Sequence, residues 1–243
     1  VRNVERIGSD DMTLIQKRAF ADLKRFGSWN IAQPDNMVDF RNWFGLIDDL
    51  FFGGLLKGFC RIEVVDEKEM ISRTGKPRMG YSKIITPGSK SDPKHKLKAP
   101  YCLIVLRKLS KNPLDNIGSY ISTLCHEMVH SMLQLYTCAF SRCRNEIERW
   151  GHGSRWQAPA LAIEKAFASE AILGWKIKIG RETGMAHDIR DGEPMEGAEA
   201  LQGLEIDFEK VKSTVKRLKK REENERLLGS TSHRSPTGEV LAE

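Results

Sequence analysis

The sequence predicts an α+β fold, a domain in which a small antiparallel sheet packs beside helices, with polar appendages at both ends. Three observations carry this. "YCLIVL" (101–106) is a short, wholly apolar run with strand composition. "CRIEVVD" and "GYSKIIT" have the β-branched content of further strands. "TLCHEMVHSMLQLY" (123–136) has a helical period and length.

Residues 1–30 read as an N-terminal extension, helical around Asp11 to Phe26. The main domain spans 31–180 and opens on "PDNMVDFRNWFGLIDDLFFGG". There Asp35 or Asn36 can cap a helix, Val38, Phe40, Phe44, Ile47, Leu50 and Phe51 form its apolar side, and Gly53-Gly54 stops it. The strand candidates follow, and "PLDNIGSY" leads into the helix over 123–136. A polar stretch, "SRCRNEIERWGHGS", precedes another helical pattern with Trp156, Ile163 and Phe167 on one face. Pro159 predicts that this helix begins near Ala158, because proline is tolerated only in a first turn. Residues 181–204 show no clean period and read as a linker. Residues 205–228 read as an exposed charged helix, and 229–243 as a disordered tail.

With 243 residues, 40% hydrophobic and 30% charged, the chain suits one soluble domain of ordinary size plus appendages. No apolar run is long enough to span a bilayer, and no signal peptide is visible from Val1 onward. Five scattered cysteines, none in a C-x-x-C pair, predict reduced thiols in an intracellular protein. Cys138 and Cys143 are close together but lack the other two ligands of a structural zinc site. The net charge of +6 is local: Arg73 to Lys98 carries eight basic residues against Asp92, so that segment is +7 and the remainder −1. Such a cluster suits a phosphate backbone, with Lys83, Lys90, Lys94, Lys96 and Lys98 as candidate DNA contacts. It equally suits a solvated loop.

The helix over 123–136 carries the chemistry. At about 100° per residue, with His126 at 0°, His130 falls at about 40° and Glu127 at about 100°. Ile117, Ile121, Leu124, Met128, Met132 and Leu135 gather on the opposite side. Two imidazoles one turn apart can converge on one ion, and Glu127 stands to the side, within reach of a water there. This is the H-E-x-x-H pattern of zinc peptidases. A catalytic zinc takes a third protein ligand. His152, between two glycines in "WGHGSRW", is the leading candidate, since glycine lets the chain turn tightly beside another element. Glu164, Glu146 and Glu148 are the carboxylate alternatives; His95, His187 and His233 lie in the basic segment, the linker and the tail. Trp150 and Trp156 flank His152 and read as packing around the helix over 123–136, with the lining of a substrate cleft as the alternative.

The "HEMVH" motif together with "FGLIDDLFFGGLLKG", "RIEVVD", "CLIVL" and "GHGSRWQAPALAIEKAF" resembles the SprT-like metallopeptidase family, over about Phe40 to Ala168. The resemblance implies a zincin-like metallopeptidase domain, Zn2+ on His126, His130 and His152, and Glu127 as the catalytic glutamate. It also implies protein substrates bound or crosslinked to DNA, DNA as activator, a role in DNA repair and a nuclear location. Two departures stand out. The gap from His130 to His152 is long for the family, and no cysteine-rich zinc ribbon or ubiquitin- or clamp-binding motif follows. The expected activity is that of a zinc endopeptidase. The alternatives are a nucleic-acid-associated interaction module with a structural or silent metal site, and a zinc peptidase indifferent to DNA.

Overall fold

The computed structural model describes residues 7–26, 29–71, 78–89, 99–109, 113–137, 151–193, 197 and 199–231. Helix α1 (Leu14–Phe26) starts later than the Asp11 expected. Thr13 and Gln16 fix its first turn: the Thr13 hydroxyl accepts the Gln16 backbone N–H at 3.2 Å, and the Gln16 side-chain Oε1 accepts the Thr13 backbone N–H at 3.1 Å.

The predicted second helix is one coil in two pitches. Helix α2 (Met37–Ile47) is capped by Asn36, which accepts the Val38 N–H at 2.9 Å. It runs into a π-turn, Asp48–Phe52, stopped by Gly53 at φ 68, a left-handed conformation that suits glycine. Asp48 is fully buried and folds the chain back by accepting the N–H groups of Leu56 (3.0 Å) and Lys57 (2.8 Å).

Strands β1 (Cys60–Val65), β2 (Gly80–Ile85) and β3 (Tyr101–Arg107) form one sheet in the order β1-β3-β2. The sheet is mixed, where an antiparallel one was expected: β3 pairs in parallel with β1 and antiparallel with β2. The direction reverses twice along the chain, so first and third strands run alike. The third lies between the other two because "YCLIVL" is apolar on both faces and takes the covered central place. Cys102, Ile104 and Leu106 are buried on the side of the main core. Tyr101, Leu103 and Val105 face a smaller cluster with Met70 and Ile85.

Helix α3 (Pro113–Tyr136) lies along the main-core face of the sheet. Its expected stripe is in place: Ile117, Ile121, Leu124 and Met128 are buried in the main core, and Met132 and Leu135 are partly so. The Tyr120 hydroxyl ties this helix to the end of β3 by accepting the Leu109 N–H at 2.8 Å. Helix α4 (Ser154–Ala168) begins four residues before the expected Ala158, leaving Pro159 inside it. The Gly153 carbonyl starts the coil by accepting the Trp156 and Gln157 N–H groups at 2.9 and 2.8 Å. Burial of Trp156, fully enclosed, favours this early start over the proline's preference.

The stretch expected as a linker contains a helix, α5 (Arg181–Arg190). Its apolar contacts are to helix α6 (Phe208–Thr231): Met185, Ala186, Leu201 and Val211 form a buried cluster. The pattern is hard to see in sequence because α5 contributes only two of those four residues. Helix α6 is therefore charged but not wholly exposed. No helix among the described residues is long and apolar enough to cross a membrane.

Candidate metal centre

Helix α3 presents His126 and His130 on the side away from its main stripe, and the Gly151–Gly153 turn brings in His152. The three Nε2 atoms form a near-equilateral triangle, 3.2 Å from His126 to His130, 3.2 Å from His130 to His152, and 3.1 Å from His152 to His126. Trp156, one turn into α4, packs its ring 4.7–5.4 Å from all three imidazoles and closes one side of the triangle.

The partners of the outer nitrogens fix which inner nitrogens carry lone pairs. His126 Nδ1 lies 2.8 Å from the Ile179 carbonyl oxygen, so that nitrogen carries the hydrogen. His152 Nδ1 lies 3.1 Å from both carboxylate oxygens of Asp188, and is a donor for the same reason. In the neutral rings both inward Nε2 atoms then hold lone pairs, facing each other 3.1 Å apart. Facing lone pairs repel unless a cation lies between them. A tetrahedral zinc, at about 2.0–2.1 Å from each nitrogen, spaces its donors about 3.3 Å apart, close to what is observed. The three histidines thus lie within metal-binding distance, and the donor set fits a divalent ion. Burial holds the two rings of helix α3 neutral, the form in which a histidine can ligate. It lowers the pKa of His126 from its usual value to about 3 and pushes that of His130 well below the usual range, with His152 adding repulsion to the first and His126 to the second.

Glu127 is buried at 5% exposure, beside the triangle. Desolvation raises its carboxyl to about 8, against a hydrogen bond from Ser82 that lowers it. Edge strand β2 begins against this side chain. A Cβ at Gly80 would come within 2.7 Å of Thr123 Cγ2 and 3.1 Å of Glu127, so only glycine allows the approach. A cleft of about 940 Å³ opens here, with Arg78 to Gly80 on one wall and the Lys176 to Gly180 segment on the other. Its floor follows α3 from Asp115 to His126 and Glu127, about 16 Å at a helix's rise per residue.

Of the carboxylate alternatives, Glu164 is engaged elsewhere: it accepts the Ile179 N–H at 2.7 Å and pairs with Arg181 at 3.5 Å, bracing the segment that holds His126. Glu146 and Glu148 lie outside the described residues, as do His95, His233, Trp150, Cys138 and Cys143. His187 lines the cleft and is not in the triangle. Cys125 is buried on the flank of the helix as a free thiol, and Cys60 and Cys102 are also unpaired. Of the candidate DNA contacts, Lys83 lies on β2 with its ammonium 5.7 Å from the centre of the Tyr81 ring. Lys90, Lys94, Lys96 and Lys98 are outside the described residues.

Sequence reasoning missed Asp188, Gly184, Ser82, Gly80 and the Ile179 carbonyl. A ligating histidine is expected to give its second nitrogen to an acceptor. Nothing in a stretch without a period, however, marks Asp188 over the other acids there. No protein-family model, no curated protein and no solved structure matches the chain.

Proposed function

We propose that this protein is a zinc-dependent endopeptidase of the SprT-like kind, acting on proteins bound or crosslinked to DNA. One observation carries the proposal: three imidazole nitrogens converge at the end of a cleft whose floor also presents a buried carboxylate. A structural zinc site is closed by four protein ligands. Among the described residues this one has three, at a cleft of about 940 Å³.

Zinc bound to His126, His130 and His152 would supply Lewis acidity, polarising a peptide carbonyl and lowering the pKa of a water. The chain's own residues do the rest. Ile179 and Asp188 fix two rings in the ligating tautomer. Glu127, in its carboxylate form beside the triangle, would accept a proton from the attacking water and return it to the leaving amine. Trp156 and the burial around the rings keep bulk water off their flanks. The β2 edge at Gly80 borders the cleft on the Glu127 side, and a substrate strand there would be held close to that carboxylate.

The DNA part rests on the +7 segment and on the resemblance. The test is proteolysis of a DNA-binding protein with and without single-stranded DNA, comparing wild type with Glu127→Gln and measuring metal in both. Cleavage that vanishes in the variant while zinc is retained supports the enzyme; equal cleavage in both leaves the interaction module in front. Neutralising Lys90, Lys94, Lys96 and Lys98 is expected to lower DNA affinity and flatten its salt dependence. An unchanged salt slope favours a peptidase indifferent to DNA.

A further inference from the structure

We propose that Asp188 is a positioning residue of the metal centre. It holds His152 in the tautomer and orientation that the ion requires, so helix α5, outside the domain delimited from sequence, completes the site. The inference rests on the proposed metal-binding role of the three histidines.

The Asp188 carboxylate grips His152 at two points. Oδ2 accepts the backbone N–H of His152 at 2.8 Å, and both oxygens lie 3.1 Å from ring Nδ1. One contact fixes where the Gly151–Gly153 turn sits; the other fixes the ring's rotation and leaves Nε2 to face the triangle. Gly184, one turn earlier on the same face of α5, lets the helix come this close. A Cβ there would lie 2.4 Å from His152 Cδ2, a distance no side chain tolerates. The helix therefore meets the third ligand with a gap for the ring and an anion for its hydrogen.

His152 also needs this support most. His126 and His130 are fixed by one helix, one turn apart, whereas His152 comes from a turn between two glycines, which supplies no rigidity of its own. The charges differ as well: His126 gives its outer hydrogen to a neutral carbonyl, His152 to a carboxylate. A carboxylate partner strengthens a histidine donor and orients it, and losing such a partner typically weakens metal binding about 10–100-fold.

The experiment uses the full chain. Zinc affinity is measured by competition with a chromophoric chelator for wild type, Asp188→Asn, Asp188→Glu, Gly184→Ala and the control Asp191→Asn. The apo proteins are compared by circular dichroism and by the ring nitrogen-15 shifts of His152. We expect Asp188→Asn and Gly184→Ala each to bind zinc about 10–100-fold more weakly, Asp188→Glu to recover part of the loss, and Asp191→Asn to match wild type. Apo wild type should show a single tautomer with hydrogen on Nδ1, and Asp188→Asn a mixture. Wild-type affinity in Asp188→Asn, or an equal loss in Asp191→Asn, overturns the role. Should wild type itself take up no zinc, the proposed function fails, and the His152 ring signal alone then decides whether Asp188 fixes the ring.

Discussion

At the scale of the residue, the site is built from small differences in what each side chain faces. His126 and His130 differ from an ordinary buried pair because their inner nitrogens face another nitrogen instead of a hydrogen-bond partner. Glu127 sits in the same helix turn but is turned aside, against Ser82 and the β2 edge. Replacing Glu127 by Gln keeps its shape and removes its proton chemistry. Activity should fall by at least about 10²-fold, the range of a general base, while zinc content stays at the wild-type level. Gly80→Ala tests the wall of the same pocket. The added Cβ meets Thr123 at 2.7 Å, so the strand or Glu127 must shift. Thermal or chemical denaturation should show a loss of about 1–3 kcal/mol, with reduced turnover. Neither the requirement at Gly80 nor the role of Ser82 is legible in "GYSKII", because each depends on what lies across the strand edge.

At the scale of the element, start and stop signals with a local chemistry proved readable. Asn36 caps α2, Gly53 ends the following π-turn, and the β-branched runs are strands. Signals that compete with burial were less so, as Pro159 shows: it lies inside α4 because enclosing Trp156 favours the earlier turn. Helix α5 was invisible for a related reason. Its apolar residues are few, and the cluster that buries them draws on residues up to Val211. One element-scale prediction concerns the turn after α2. Asp48 accepts two backbone N–H groups, one buried and one partly buried, and Asp48→Ala leaves both without that acceptor. The unfolding free energy, read from urea titration, should drop by about 2 kcal/mol or more.

At the scale of the whole molecule, the candidate metal centre joins parts distant in sequence: α3, the turn at His152, the 176–180 segment and α5. Two predictions belong here. A chain ending at residue 180, where sequence alone would draw the boundary, lacks Asp188 and Gly184. It should bind zinc more weakly than the full chain even where its circular dichroism shows folded α+β structure, as chelator competition would reveal. The second prediction is the pH dependence of the zinc-free protein. Unfolded histidines take up protons near pH 6.5, but folded His126 does so only near 3, and folded His130 is also well below its usual value. Between those limits the unfolded chain binds more protons, so stability falls as pH falls, by up to about 1.4 kcal/mol per pH unit for each ring. Glu127 acts with the opposite sign: raised from 4.5 to about 8, its contribution is full below 4.5 and is lost as pH climbs to about 8. Two rings outweigh one carboxyl where the windows overlap, so the site's own contribution peaks near pH 6.5 and declines on both sides. Urea denaturation from pH 4.5 to 8 after chelator treatment measures this, and the alkaline decline should disappear in Glu127→Gln.

Alone, the sequence determined the α+β class, the helix with two histidines four apart and opposite its core stripe, and His152 as the leading third donor. Each is written in local periodicity or in residue types that only a few conformations accept. Tertiary structure decided the rest: β3 lies between β1 and β2, so the sheet is mixed; Glu164 braces a segment instead of ligating; and Asp188, Gly184 and the Ile179 carbonyl stand around the rings. The physical reason is common to all of these. Which nitrogen carries its hydrogen, and where a Cβ finds no room, depends on neighbours tens of residues away that meet only once the chain has packed.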